Sequence, residues 1–470
     1  MNLSSRFAAI GLFAFAFTTV VVAIPVGEGG ASGTQTPVSI QPGSELTLKQ
    51  AIEIALQLHP RRMESESDVG VARSGIGVAR ADLLPQVYGT AQYLRGTSNG
   101  VGNTMFFDEA IFPRITGVNH DLPAGDFSQS FSSENNYGAG VSVSQFLFDF
   151  GKVRGFIDER KADFDAAQAR LKLTELNLIF NVAQQYYGLL AANQMVKVYA
   201  VAITQRQEHL HQAKVMAQAD LRPMIDVSVT QADLSRAELN QIRARNAVAD
   251  AKVALDNAMG LAGTAPPYTL TESLTYQPVT AEFDHLLQLA YQMRPDLKAL
   301  IDEARAAGAQ ITQARSDYFP SAYAGAGYVA MGTGTPAANN YFAGLVINWP
   351  LFNGFRTEEQ VSQTRYHEQA VGHAIEDLRQ NVIQEVHTSF LDWQASVAMI
   401  ERARQTLDAS TEELRLADER YRAGLGNVVE LDDAQRRFTE DSAAYVNSLY
   451  GYAVARAAVD RATAQSLQGL

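Results

Sequence analysis

Six large side chains spaced by sevens, Val386, Trp393, Ile400, Leu407, Leu414 and Tyr421, constrain this chain more than any other feature. A strict seven-residue repeat stays on one side of a slightly underwound helix, so the row describes a seam that meets another helix along its length. The same seam occurs 204 positions earlier as Val182, Leu189, Val196, Ile203, Leu210 and Ala217. Return helices repeat at that offset: Leu431, Phe438, Tyr445, Tyr452 and Val459 answer to Val227, Leu234, Gln241, Val248 and Leu255. The chain therefore encodes two long helical hairpins by internal duplication. At 1.5 Å per residue, some 65 proline-free residues reach roughly 100 Å, far more than a globular domain needs. A second row, Ile383, Phe390 and Val397, is expected to give each helix neighbours on two sides, as in the staves of a helical barrel.

The duplication extends upstream. Leu46 to Leu58 reads as an amphipathic helix stopped by Pro60, and a second helix spans about Met63 to Leu84 before Pro85. Phe283 to Met293, stopped by Pro295, and a following helix to Phe319, stopped by Pro320, repeat this 235 positions later. After each second proline the period changes to two. Gln86 to Leu94 pairs with Tyr137 to Phe148, and Ala322 to Val329 with Tyr341 to Leu351. These strands put Gly and small polar residues on one face. They are flanked by Tyr88, Tyr93, Phe146, Phe148, Tyr323, Tyr328, Tyr341 and Trp349, a pattern that suits transmembrane β-strands with interfacial aromatics. A soluble sheet would look similar on pattern alone. The first hairpin's connection holds some forty polar and Gly-rich residues and the second's only about ten, which explains the change of offset.

Composition narrows the setting. With 51 acidic against 38 basic residues and a net charge of -13, nucleic acid is excluded as an expected partner. Residues 1–23 read as a signal peptide, with Arg6, an apolar core from Phe7 to Val22, and small residues Val21 and Ala23 before the cut; the core is short for a membrane anchor. The absence of cysteine excludes disulfides, zinc thiolate sites and a lipidated N-terminal cysteine. Four strands cannot close on themselves, and open edges are intolerable in hydrocarbon. Three copies would supply twelve strands and a hollow barrel.

The proline-punctuated helices, the strand exits Leu147-Phe148-Asp149-Phe150-Gly151 and Leu351-Phe352-Asn353-Gly354-Phe355, the long helices and the turn from Tyr421 to Gln435 together resemble the outer-membrane efflux protein family of TolC-like channels. The resemblance covers residues 46 to about 465. It implies an α+β membrane protein: a homotrimer whose 12-stranded outer-membrane β-barrel continues into a periplasmic α-helical coiled-coil barrel. On that reading residues 24–260 form the first repeat, with a β-hairpin at 86–148 and a helical hairpin at 152–260; 261–281 link the halves at an equatorial region. Residues 282–470 form the second repeat, with a β-hairpin at 321–351 and a helical hairpin at 355–465. The implied partners are outer-membrane lipid, a periplasmic adaptor and an inner-membrane transporter of RND, ABC or MFS type, in a Gram-negative bacterium. The implied activity is passive export, with no chemistry and no cofactor.

By position, the resemblance places a periplasmic gate at Glu430 and Asp433, which narrow the mouth, and at Tyr421 with its acidic partner Asp226. Adaptor contacts fall at the tips, Gly424, Leu425 and Gly426 in one hairpin and Asp220, Leu221 and Arg222 in the other. Carboxylates converging in threefold rings repel one another and attract cations. The alternative is that Glu430, Asp432 and Asp433 are helix-start acids facing water. The family's gate arginine, two residues past the turn glycine, is Gly426 here, and Arg222 stands available as a substitute cation. The eight histidines are scattered; His209 and His211, two apart on a helix, point to different sides and do not suggest a metal site. Gly325, Gly327, Gly332 and Gly334 lack the following helix of a phosphate loop. The reading from another class is a periplasmic structural coiled-coil protein with a small soluble sheet and no pore.

Overall fold

The structure, a computed structural model, describes residues 43–97, 133–261, 265–276, 282–332 and 338–465. The expected signal peptide (residues 1–23), nearly all of the leader and the long connection within the first hairpin lie outside these residues. The first half contains β1 (Glu45–Leu46), α1 (Leu48–Leu58), α2 (Pro60–Ala81), β2 (Gln86–Thr97), β3 (Ser133–Phe148), α3 (Lys152–Gln218) and α4 (Met224–Ala258). The second contains β4 (Thr269–Leu270), α5 (Phe283–Met293), α6 (Pro295–Ser316), β5 (Ser321–Gly332), β6 (Ala338–Asn348), α7 (Arg356–Arg422) and α8 (Val428–Ala462). Corresponding helices have equal lengths: 11 residues in α1 and α5, 22 in α2 and α6, 67 in α3 and α7, and 35 in α4 and α8.

The boundaries follow from local chemistry and correct two sequence expectations. Thr47 and Gln50 form a reciprocal capping box that starts α1 at Leu48, so Leu46 is left to pair with Leu270 in a short parallel bridge. Pro60 does not lie in a gap before α2 but occupies its first turn, where a missing N–H costs nothing, and the His59 Nδ1 accepts from the Arg61 amide to cap it. At the strand exit, the Asp149 carboxylate accepts the amides of Gly151, Lys152 and Val153 at 3.1, 3.0 and 2.7 Å and so nucleates α3. Here Phe150 and Gly151 both take positive φ (55° and 101°); in the second repeat Gly354 and Phe355 do so (70° and 64°), with the glycine first.

All neighbours in the four-stranded sheet, order β2-β3-β5-β6, are antiparallel, leaving β2 and β6 as open edges. The register sorts the side chains in part. One face carries Val87, Tyr93, Val141, Val143, Tyr328, Tyr341, Leu345 and Ile347; the other carries the small residues Thr90, Gly140, Ser142, Ser144, Gly325, Gly327 and Gly344 together with Tyr88, Phe146, Tyr323, Val329, Phe342 and Val346. The apolar face stands open to the surroundings, with Leu345 74% and Ile347 72% exposed.

Below the sheet, α6 packs on both α3 and α7, and α8 likewise packs on α3 and α7; α2 and α4 pack on α3. Val382, Val386, Trp393 and Ile400 of α7 are buried with Leu286, Leu297, Tyr452 and Val459, whereas Leu407 and Leu414 are half-buried. Of the second row, Phe390 and Val397 are half-buried against this core and Ile383 is 40% exposed, while Val382 beside it is fully buried. An ion-pair knot crosses this level. Arg294 binds Asp296 and Glu385 (both 2.6 Å), and Arg461 also reaches Glu385. The linker is strapped on by Tyr268 to Asp256 (2.6 Å), and Tyr186 donates to the Leu46 carbonyl.

Candidate functional site at the hairpin tips

Both hairpins turn by the same device. Leu221 N–H bonds to Met216 C=O and Leu425 N–H to Arg420 C=O, each at 2.9 Å, behind a residue of positive φ: Asp220 (56°) in the first turn and Gly424 (75°) in the second. This is the six-to-one closure that ends helices in a left-handed residue. Asp220, which the sequence marks as a departure from the turn glycine, is one of the few side chains that tolerates that conformation. Asn427 then caps α8, its Oδ1 accepting from Glu430 N–H at 2.7 Å.

The structure gathers Tyr421, Asp226, Arg222 and Gly426 into one junction between the two tips. Gly426 is closely packed: an added Cβ would lie 3.2 Å from the Tyr421 amide nitrogen, so the arginine that the resemblance leads one to expect would require the end of α7 to shift by a few tenths of an ångström. Arg222 approaches from the other hairpin: its guanidinium donates to the Gly426 carbonyl (2.5 Å) and sits 5.2 Å from the Tyr421 ring centre. Tyr421 is buried and its hydroxyl raised in pKa, first by burial and then by the nearby Asp226 charge, with Arg222 opposing. The Tyr421 hydroxyl nevertheless has no hydrogen-bond partner among the described residues. The tie between tips thus runs through Arg222, not through a Tyr421–Asp226 hydrogen bond.

Glu430 and Asp433 stand on the first turns of α8, and each has an arginine in the same hairpin: Arg420 at 3.0 Å from Glu430 and Arg436 at 2.5 Å from Asp433. Just above lies a charged crevice that the sequence reading missed, formed by Arg206, His209, Asp233 and Asp432. Arg206 reaches Asp432 at 3.1 Å, and Asp233, only 5% exposed, is raised in pKa by burial and then by the Asp432 carboxylate. His209 is buried, its pKa lowered by desolvation against the opposing pull of Asp418, 3.9 Å away. One signal did exist: at the 204 offset His209 and Asp233 correspond to Glu413 and Arg437, an ion pair in the second hairpin, so an acid stands in the first hairpin where the second has an arginine. At the extreme tips Leu221, Met224, Ile225, Leu425 and Val429 are all exposed.

Fold and site together define a duplicated wall of long helices that carries a membrane-suited sheet at one end and tied hairpin tips at the other. The chain belongs to the family described as outer membrane efflux protein, matching it over residues 51–261 and 286–465. It is 23% identical over 407 residues to the toluene efflux pump outer membrane protein TtgC of Pseudomonas putida, covering 83% of this chain and 77% of that one. It is also 23% identical over 432 residues to the outer membrane protein TolC of Escherichia coli, covering 87% and 80%. The fold is similar to the crystal structure of the outer membrane protein VceC of Vibrio cholerae, with a TM-score of 0.70 at 18% identity, covering 88% of this chain and 95% of that one.

Proposed function

We propose that the chain is the outer-membrane exit duct of a tripartite efflux or type I secretion system in a Gram-negative bacterium. Three copies close a 12-stranded barrel and a periplasmic helical barrel, and cargo passes without chemistry from an inner-membrane pump through an adaptor to the outside. The observation that carries this reading is the four-stranded sheet. The face of Val141, Leu345 and Ile347 suits hydrocarbon, the face that holds Thr90, Ser142, Ser144 and the glycines suits a water-filled lumen, and its edges β2 and β6 demand partners. Family membership supports the same assignment.

Within that duct, Tyr421, Asp226 and Arg222 form the restraint at the closed end, Glu430 and Asp433 the charged mouth, and the apolar tips around Leu221 and Leu425 the adaptor seat. A duct fractionates with outer membrane as a detergent-resistant oligomer; extraction by salt as a soluble subunit would instead favour a periplasmic scaffold. In planar bilayers, Glu430→Gln with Asp433→Asn lowers cation selectivity, read as a shift in reversal potential. An unchanged potential would leave both acids as helix-start residues.

A further inference from the structure

The internal duplication makes the contact between the two halves of one chain a template for a contact that a single chain cannot make. Within the subunit, α6 lies between α3 and α7. Its counterpart α2 packs on α3 but makes no comparable contact with a second long helix; Val71 and Val78, which edge a crevice against α3, are exposed, and nothing lies near Gly70 or Gly77. The α3–α6 contact is antiparallel and set in register by four observations. The Lys152 ammonium meets Asp317 at 2.7 Å, a Cβ on Gly155 would strike Gln313, Glu159 accepts from Gln310, and Asp165 pairs with Arg305.

Adding 204 to the α3 positions and subtracting 235 from those of α6 gives the equivalent contact between α7 and an α2 that must come from another copy. Of the two ion pairs, the one at the strand end survives this mapping, Lys152 becoming Arg356 and Asp317 becoming Asp82, whereas Asp165 and Arg305 become Gln369 and Gly70. Arg356 and Asp82 are both exposed, and neither has an ion-pair partner among the described residues. Their side chains carry the charges of the internal bridge with no internal partner to use them on. Side-chain size is complementary as well. Ala162, buried in the α3–α6 contact, maps to Tyr366, which is 72% exposed; the α2 stretch that faces it maps to Gly70 and Val71, with open space beside Gly70. The internal seam has a buried alanine where the external one sets a large ring beside a glycine. The same arithmetic turns the β3–β5 pairing, Ser144 opposite Gly325, into an antiparallel β6–β2 pairing with Asn348 opposite Thr90 of the next copy. Helix and strand edges therefore ask for the same neighbour on the same side.

We infer that the seam between adjacent copies is fixed by Arg356 of one subunit against Asp82 of the next, with Tyr366 seated over Gly70 and Val71. This rests on the self-association stated under Proposed function and adds which residues meet and in which register. Because the chain has no cysteine, introduced thiols are unique. Long side chains in an ion pair hold their backbones beyond disulfide reach, so a short bis-maleimide is the suitable probe. In membranes from cells expressing the full chain, Asp82→Cys with Arg356→Cys should crosslink into dimer and trimer bands on a denaturing gel. Each single variant should not, and Lys152→Cys with Asp317→Cys should close within one subunit and run as a monomer. A native oligomer of normal size without the ladder would overturn the register and leave the oligomer standing. A monomer on native gels would overturn both. A charge exchange guards against a folding artefact: Asp82→Arg should weaken the detergent-resistant oligomer, and adding Arg356→Asp should restore it. Failure of that rescue also counts against the pairing.

Discussion

Replacing Arg222 by alanine removes two contacts at once, the hydrogen bond to the Gly426 carbonyl and the approach to the Tyr421 ring. A hydrogen bond from a charged donor contributes about 1.5–3 kcal/mol and a partly exposed cation–π contact about 0.5–1 kcal/mol. Arg222 is half-buried, which puts the combined loss near the low end, about 2 kcal/mol per subunit. That is roughly a 30-fold shift towards untied tips in one subunit, and on the order of 10⁴-fold if three tips release together. The assay is single-channel recording in planar bilayers, where Arg222→Ala should lengthen or stabilise the high-conductance state. Arg222→Lys keeps the charge but loses the planar fork, so it should recover only part of the closed behaviour. Conductance and dwell times indistinguishable from the parent in Arg222→Ala would refute the idea that this guanidinium holds the two hairpins together.

Tyr421→Phe should leave stability within about 0.5 kcal/mol of the parent or raise it, because the hydroxyl is buried without a partner, whereas Tyr421→Ala should cost about 3–5 kcal/mol in thermal melts. Asp233 has a raised pKa, so its favourable contribution is complete below the ordinary carboxylate range and is lost as pH rises through the raised value. Asp233→Asn should therefore stabilise the protein more at about pH 7 than at about pH 4, measured as the difference in Tm from the parent at each pH. Arg294→Met strands Asp296 and weakens the hold on Glu385 at a site where the arginine side chain is 10% exposed; a loss of about 3 kcal/mol is expected by denaturant unfolding of the detergent-extracted protein.

What was legible in the sequence was periodic or punctuated. The sevens around Trp393 locate a buried seam because burial repeats with helix geometry, and Pro85 and Pro320 mark the passage from helix to strand because proline cannot continue a helix. Less legible was anything decided by a single cap or by a neighbour far along the chain. Pro60 looks like a stop but is a start, since the distinction depends on His59 turning its imidazole towards the next amide. Ile383 and Val382 are adjacent and equally apolar, and only the packing of α5 and α8 decides which is buried. At the tips, the positions of Tyr421, Asp226 and Arg222 were readable from the repeat, but their bonding was not. The close packing of Gly426 on Arg420 and Tyr421 emerges only in the folded turn, and the shared crevice of Arg206, His209, Asp233 and Asp432 only when the two hairpins are laid against each other.

The equality of the 67-residue helices with each other, and of the 35-residue helices with each other, turns length into a parameter that no single helix can change alone. Deleting one heptad from α3 and α4 only would retract that hairpin by about 10 Å and carry Arg222 out of reach of Gly426. Deleting it from all four would keep every seam in step and simply shorten the reach. Variants of this chain should therefore tolerate resizing in whole heptads made fourfold and resist every smaller or lopsided change, as a folding ruler does when only one leg is cut.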